Sequence, residues 1–461
     1  MLKRAIWIGI VLLLVAARFC HLHVLWVEEA YPTAAAMELL RGKVLYRDIW
    51  FDKPPFFAGI YMLWGAQIGW GLRLAGSLFA IFTCWVAARA ARVLWGPKTE
   101  LWAGGLMAVF LTFDTASAVM ALTPDLLTVP LHMGAIALAA AGFPFWAGAV
   151  AGISILFNAK GLLILLVCLA WSWPKRLELL AGFAAPVLIS LAWMGLRGSL
   201  VDFWQQVWAW GAIYSRDTNI PHPMLEGARR TLNWAGFHIA LVVAACITAW
   251  KEEDWRWAVW LIVSVAGVFL GLRFFPRYYF HLLPVFVLLA ARGFTLLPRR
   301  FAILASFLLI LPVARFGPRY VALAQDKPWG DLLLFRSSME AANTLKAKAS
   351  AGDTLLVWGY RPDLFPLSGL PAGTRFLDSQ PLNGVLADRH LISAKVSFPQ
   401  VASTNRDMLM RSPRPTWIAD GLGPYNGVLD VRVVLKDLMK DYRLEATTPG
   451  YRLWRLQRSG E

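Results

Sequence analysis

Apolar stretches, each closed by a short polar turn, follow one another along the first two thirds of the chain. They cover residues 5–24, 72–94, 100–118, 125–142, 144–158, 160–173, 178–196, 231–250, 257–272, 278–297 and 301–316. A helix of roughly 17–25 apolar residues crosses about 30 Å of hydrocarbon, so this pattern predicts about 11 transmembrane helices. Residues 56–70 are short for a span, and Trp64 and Trp70 suit the interface, so this segment is predicted to lie on the membrane surface. Trp204, Trp208 and Trp210 recur at near-helical spacing in residues 198–230, which predicts a second surface helix. Beyond residue 318 the pattern turns mixed and polar. Residues 353–358 and 431–435 read as strands and 339–348 as a helix, which predicts a small α/β domain. The fold class is therefore a polytopic α-helical membrane protein, with a transmembrane domain at 1–317 that carries a first loop at 26–70. A C-terminal α/β domain at 318–461 follows.

Composition agrees with that pattern and charge orients it. Of 461 residues, 58% are hydrophobic and 16% charged, with a mean hydropathy of +0.53, more apolar surface than a soluble globule of this length hides. The net charge of +16 does not point to nucleic acid, because the basic residues stand at helix ends rather than in a stripe. Lys3, Arg4, Arg89, Arg92, Lys98, Lys175, Arg176, Lys251, Arg256, Arg299 and Arg300 fit a positive-inside bias. That bias puts the N-terminus in the cytoplasm and both the first loop and residues 318–461 outside, as expected in a bacterial inner membrane. Residues 1–20 begin like a signal peptide, but no small-residue cleavage site precedes Glu28, so they read as a retained anchor. Cys20, Cys84, Cys168 and Cys246 lack paired spacing and read as packed thiols.

Against this apolar background, residues 28–55 concentrate charge: Glu28, Glu29, Glu38, Asp48 and Asp52 face Arg41, Lys43, Arg47 and Lys53. Pro32 suits a helix start and Gly42 a helix stop, which predicts a short helix with the acidic pair at its positive end. Asp52-Lys53-Pro54-Pro55 closes the loop, since helix cannot resume before the prolines. Other polar residues fall at the outer ends of later helices: Asp114, Asp125 in Thr123-Pro124-Asp125, Lys160 in Asn158-Ala159-Lys160-Gly161, then Arg273, Arg277 and His281. Arg277 and His281 are i, i+4 and would share a helix face. Carboxylates and cations at one membrane face suit a reaction on a lipid-linked anion: a carboxylate takes a proton from a hydroxyl, and Lys and Arg neutralise a departing phosphate.

The acidic pair Glu28-Glu29-Ala-Tyr, Leu40-Arg41-Gly42, Tyr46-Arg47-Asp48 and Asp52-Lys53-Pro54-Pro55 together resemble the first extracytoplasmic loop of a glycosyltransferase superfamily. Its members include bacterial aminoarabinose transferases of lipid A and protein O-mannosyltransferases, and its fold is the so-called C type, GT-C. Asn158-Ala159-Lys160-Gly161 and Arg277-Tyr-Tyr-Phe-His-Leu-Leu-Pro284 are similar to later outer-side motifs of that superfamily. The resemblance covers roughly residues 1–310 and is strongest in the first loop. It implies a sugar donor on a polyprenyl phosphate and a lipid, glycan or protein acceptor. It implies Glu28 as the base, standing where the family usually has Asp, with Glu29 as its neighbour in the pair. Lys53, Arg277, Lys160 and Arg273 become candidate donor-phosphate contacts, with Asp125 and His281 as further site residues. In aminoarabinose transferases the acid–Lys pair before the prolines serves a metal and the donor phosphate. Asp52 then becomes a candidate ligand of a divalent metal ion, with Asp where Glu is found in those enzymes.

Each candidate also has a plain structural reading. Glu28 or Glu29 caps a helix, Lys53 snorkels, Asp125 caps, Lys160 marks an outer turn, Arg273 and Arg277 anchor at the interface, and His281 is a satisfied structural histidine. The local residues alone do not choose between Glu28 and Glu29. Two other classes compete with an enzyme: a transporter, which would carry its charges near mid-membrane in paired halves, and a non-catalytic assembly or sensor protein that binds through its C-terminal domain.

Overall fold

The computed structural model describes residues 1–457 apart from 121, 219, 326, 328 and 329. Helices stand at all the predicted crossings. Among the described residues, Trp70–Trp95, Ala159–Leu196 and Arg299–Ala324 are long and apolar enough to cross a membrane. Pro223–Phe237 and Ile239–Lys251 add a fourth when taken as one span bent by 90°. Glu100–Phe110, Pro124–Ala140, Pro144–Ile155, Trp255–Phe269 and Leu283–Leu296 are apolar helices of 10–17 residues. Length and composition alone thus support fewer crossings than the apolar pattern predicts, because turns and 3-10 segments cut the apolar stretches short. The run Arg299–Ala324 also continues past residue 317, so no break in the helix coincides with the expected domain boundary.

The expected span over residues 231–250 is carried by the bent pair. His238 forms the corner, with Nδ1 against the Trp234 carbonyl at 2.8 Å and Nε2 against Asp114 Oδ2 at 3.3 Å. Its ring stacks on Phe110 and Trp234 with centroids 4.6 and 4.2 Å away. Elsewhere glycines let helices touch. A Cβ on Gly148 or Gly182 would run into backbone of the facing helix, which holds Pro144–Ile155 against Arg176–Leu196, and Gly293 does the same against Ala244 of Ile239–Lys251. Close small-residue contacts of this kind drive helix association in lipid, where apolar burial alone offers little.

The C-terminal residues form a four-stranded sheet in the order β1-β2-β4-β3, with β1 Leu355–Trp358, β2 Trp417–Asp420, β3 Tyr442–Thr448 and β4 Tyr451–Leu456. β1 and β2 are parallel and fully buried, and β4 pairs antiparallel with both β2 and β3. Alternation sends Leu355 and Val357 of β1 into one core with Ala34, Leu45 and Phe51 of the first loop. Leu356 and Trp358 go to the opposite core with Leu386 and Leu409. The first loop is therefore part of the hydrophobic core beneath the sheet. The predicted helix at 339–348 is the end of Gly330–Lys348, whereas the predicted strand at 431–435 is the helical turn Val431–Val434, which Asp430 caps through Arg432 N at 2.8 Å. The tryptophan segment also departs from expectation. Trp210 is buried against Phe398 and Trp50, with centroids at 4.3 and 5.7 Å, so this part of the segment packs into the protein rather than on a membrane surface.

Candidate active site

Helix Val27–Leu40 starts one turn earlier than Pro32 suggests. The Trp26 N–H donates to Glu29 Oε2 at 3.3 Å, while Glu29 and Ala30 N–H groups return to the Trp26 carbonyl. This capping arrangement fixes the first turn, and Pro32 then sits inside the helix, where it withholds an N–H from the Glu28 carbonyl. Much of the remaining charge in the loop is framework. Glu38 receives Arg41 and Lys43 and accepts from Ala372 N at 3.2 Å, which ties the loop to the C-terminal residues. Asp48 accepts from Val44 N at 2.8 Å and pairs with Arg47 at 2.9 Å. Tyr46 adopts a left-handed φ of 68°, rare for a bulky residue. Its hydroxyl donates to the Lys53 carbonyl at 2.8 Å, and its own carbonyl receives Gln206 and Arg375. Glu28, Asp52 and Lys53 are left for other work.

The acidic pair divides. Glu29 is fully buried, and Arg73 from helix Trp70–Trp95 holds it bidentately at 2.8 Å to each oxygen. Arg73 also donates to the carbonyls of His21, Val24 and Met120 at 3.1, 2.6 and 3.2 Å, so four separate segments meet on one guanidinium. Glu28 turns the other way: one oxygen meets Arg277, and Oε2 has no hydrogen-bond partner among the described residues. Adjacent helical residues point about 100° apart, which produces this split.

A second carboxylate, Asp125 at the start of Pro124–Ala140, gathers the cations. Arg277 Nε lies 3.7 Å from Oδ2; Lys160 Nζ lies 3.9 Å and His281 Nε2 3.2 Å from Oδ1. The Asn158 amide donates to the same Oδ1 at 3.0 Å. Residues Pro276–His281 form a 3-10 helix rather than an α-helix, yet Arg277 and His281 still converge, on Asp125. Among the described residues Lys160 Nζ has no hydrogen-bond partner, and it lies 3.4 Å from the centroid of the Tyr278 ring. Glu28, Arg277, Asp125, Lys160 and His281 are thus one connected charge cluster. Arg273 does not reach Asp125: it is buried, 3.1 Å from Asp388 and 2.6 Å from the Asp217 carbonyl, with Nε unpartnered among the described residues and its guanidinium 3.9 Å from the centroid of the Tyr214 ring, which Lys53 approaches at 6.0 Å.

Lys53 is a third exposed and pairs with Asp52 at 2.8 Å. The Asp52 N–H donates to the Tyr31 hydroxyl at 3.4 Å, and Tyr31 faces Tyr360 of the C-terminal residues with centroids 6.0 Å apart. Asp378, also C-terminal, is buried in this neighbourhood. Burial pushes its carboxyl up to about 7; the Gln380 N–H at 2.7 Å and Lys53 oppose that shift, and Asp52 adds to it. The Tyr360 phenol is raised well above its ordinary value by burial and by Asp378 and Asp52, with Arg277 opposing, so all of these groups share one electrostatic environment. Arg73, Tyr31, Tyr360 and Asp378 escape a reading of the sequence. Only Arg73 carried a signal, as an arginine inside an apolar stretch, which needs a partner. Among the described residues no three His, Cys, Asp or Glu side chains gather as metal ligands. Asp52 instead carries the Lys53 ammonium on Oδ2.

No protein-family model and no curated sequence matches the chain. The structure is similar to ArnT from Cupriavidus metallidurans bound to undecaprenyl phosphate, with a TM-score of 0.64 at 16% identity over 99% of this chain and 98% of that one. This is a GT-C fold. The apo state of the same ArnT gives 0.63 at 15% identity over 98% and 97%. AglB, the oligosaccharyltransferase of Archaeoglobus fulgidus in complex with an inhibitory peptide and a dolichol-phosphate, gives 0.52 at 10% identity over 100% and 75%. A GT-C fold built on these apolar helices makes the chain a multi-pass membrane protein.

Proposed function

We propose that this protein is a membrane glycosyltransferase that moves a sugar from a polyprenyl-phosphate donor to an acceptor hydroxyl. The observation that carries the reading is the Glu28 carboxylate, bound to Arg277 through one oxygen with the other unpartnered among the described residues, beside the half-buried cations on Asp125. Solved proteins of the same fold hold undecaprenyl phosphate or a dolichol-phosphate, which supports a lipid-phosphate donor. Glu28 takes the acceptor hydroxyl's proton as the new C–O bond forms at the anomeric carbon, and its place in the first turn of a helix favours the ionised form. The phosphate leaves toward Lys53, Arg277 and Lys160, whose charges offset the negative charge on the departing oxygen. Arg277 touches Glu28 and Asp125 together, so an arriving phosphate competes for it and releases Glu28 to act as base. Asp125 and His281 position Arg277 and Lys160, while Glu29 and Arg273 hold the walls. One displacement inverts the anomeric configuration. No Ser/His/Asp or Cys/His arrangement stands in the first loop to favour a covalent intermediate.

The same reading sets the site on the outer face of a bacterial cytoplasmic membrane, with the N-terminus inside and residues 318–461 outside as a domain that closes over the first loop. The test is transfer from purified polyprenyl-phosphate sugar by membrane-inserted Glu28→Gln. Loss of turnover with an intact fold supports the assignment, and near-wild-type turnover removes it.

A further inference from the structure

Away from the charge cluster, a groove of about 440 Å³ opens between the loop after Glu100–Phe110 and the end of the run Arg299–Ala324. Arg315, Arg319 and Thr115 line it, together with apolar Phe316, Pro318 and Leu323. Neither guanidinium has a carboxylate partner among the described residues. Arg315 lies 5.7 Å from the centroids of both Phe237 and Phe316. Arg319 donates to the Asp114 carbonyl at 3.2 Å, but among the described residues its Nε has no partner, and neither has the Thr115 hydroxyl. The nearby Asp114 carboxylate is turned away, to His238 and the Thr115 N–H. Two cations and an unpaired hydroxyl around an apolar hollow are complementary to an anion attached to hydrocarbon.

The position of the groove argues for a membrane lipid. Phe301, Leu304, Phe307, Ile310, Leu311 and Val321 are exposed along the run Arg299–Ala324, so most of its apolar surface is left for lipid. Arg315 and Arg319 stand 15–20 residues beyond Arg299 and Arg300, about 23–30 Å at helical rise, which places them at the opposite membrane interface. A positive-inside bias accounts for the first pair and not for the second. The groove and the charge cluster share one end of the molecule: the Asp114 carbonyl receives Arg319, and the nearby Met120 carbonyl receives Arg73, the partner of Glu29 beside Glu28.

We propose that this groove binds the phosphate head group of an anionic membrane lipid on Arg315, Arg319 and Thr115, as a site distinct from that of the polyprenyl-phosphate donor. This binding does not depend on the glycosyltransferase reading. The test is native mass spectrometry of the purified full chain titrated with phosphatidylglycerol or phosphatidylcholine in detergent. The wild type should hold one phosphatidylglycerol more tightly than phosphatidylcholine. Arg315→Gln, an exposed position, should weaken that one site about tenfold, as the loss of one charge-assisted contact does. Arg315→Gln/Arg319→Gln should abolish it, and Lys53→Met should leave it intact. Equal binding of the two lipids, or unchanged phosphatidylglycerol affinity in Arg315→Gln, overturns the proposal. Loss of the bound lipid in Lys53→Met with retention in the double variant moves the lipid to the donor site and also overturns it.

Discussion

Around Glu29, four chain segments close on a dry seam in which Arg73 takes both carboxylate oxygens. Around Glu28, one residue earlier on the same turn, the side chain keeps some exposure and one oxygen stays unpartnered among the described residues, beside a cluster of charged side chains. Residue type is the same and the positions are adjacent, so the direction each side chain takes and what it meets there assign one carboxylate to structure and the other to chemistry. A buried ion pair costs desolvation to assemble and is strongly destabilising to halve. A carboxylate with an unpaired oxygen beside cations can instead exchange a proton.

The largest effect should come from breaking the seam. Arg73→Met leaves Glu29 charged and unpaired, and removing one partner of such a pair costs about 3–5 kcal/mol. The expected outcome is a steep loss of folded protein in membranes, partly restored by Arg73→Met/Glu29→Leu, which removes both charges. An Arg73→Met protein with wild-type thermal stability would mean that the seam does not differ from the cleft.

Next in size is the chemistry on the open side. Glu28→Gln should cost about 10²–10³-fold in transfer, the range for losing a group that acts in the transition state, while its thermal stability stays close to wild type. Glu29→Gln should show the reverse ranking, with stability falling first. If Glu29→Gln is stable and dead while Glu28→Gln turns over, the roles are exchanged.

Much of this contrast is legible in the residues, and the remainder has identifiable physical causes. The density of charge at residues 28–55 marks the loop, and Asp125, Lys160, Arg277 and His281 stand out as polar residues at apolar boundaries; the structure brings these four together. Which glutamate faces Arg277 depends on where the helix begins, and Trp26 starts it a turn before Pro32. Arg73 is visible as an anomaly, but its partner lies 44 residues away. Tyr360 and Asp378 reach the site only because the sheet packs on the first loop, a long-range contact that no local periodicity encodes. The strand expected at 431–435 failed for a local reason, since Asp430 caps a helical turn there.

A smaller effect should follow from the cation that lies partly in water. Lys53→Met should slow transfer by about 10²-fold and leave stability unchanged, because its partner Asp52 keeps some contact with solvent. Lys53→Arg should recover only part of the rate, since a planar fork does not replace a compact ammonium. Full activity in Lys53→Met would leave phosphate neutralisation to Arg277 and Lys160 and narrow the open region to the Asp125 cluster.

The smallest effect tests whether the C-terminal residues belong to the sealed or the open side. The Asp378 carboxyl is raised to about 7 by burial, above its unfolded value, so the folded protein holds this proton over a range where the unfolded chain has released it. Stability linked to Asp378 is therefore fully present at low pH and is lost as pH rises through 7. Between pH 6 and 8 the loss amounts to about 1 kcal/mol for a single group titrating near the middle of that window. Asp378→Asn should remove that part of the slope, read as the difference in Tm between pH 6 and 8 in variant and wild type, which cancels other groups such as Asp420. A filled donor site would bring another negative charge close to Asp378 and Asp52, so adding polyprenyl phosphate should move the midpoint of the wild-type slope to higher pH. No movement would place Asp378 on the sealed side with Glu29, structurally required but outside the field of the substrate.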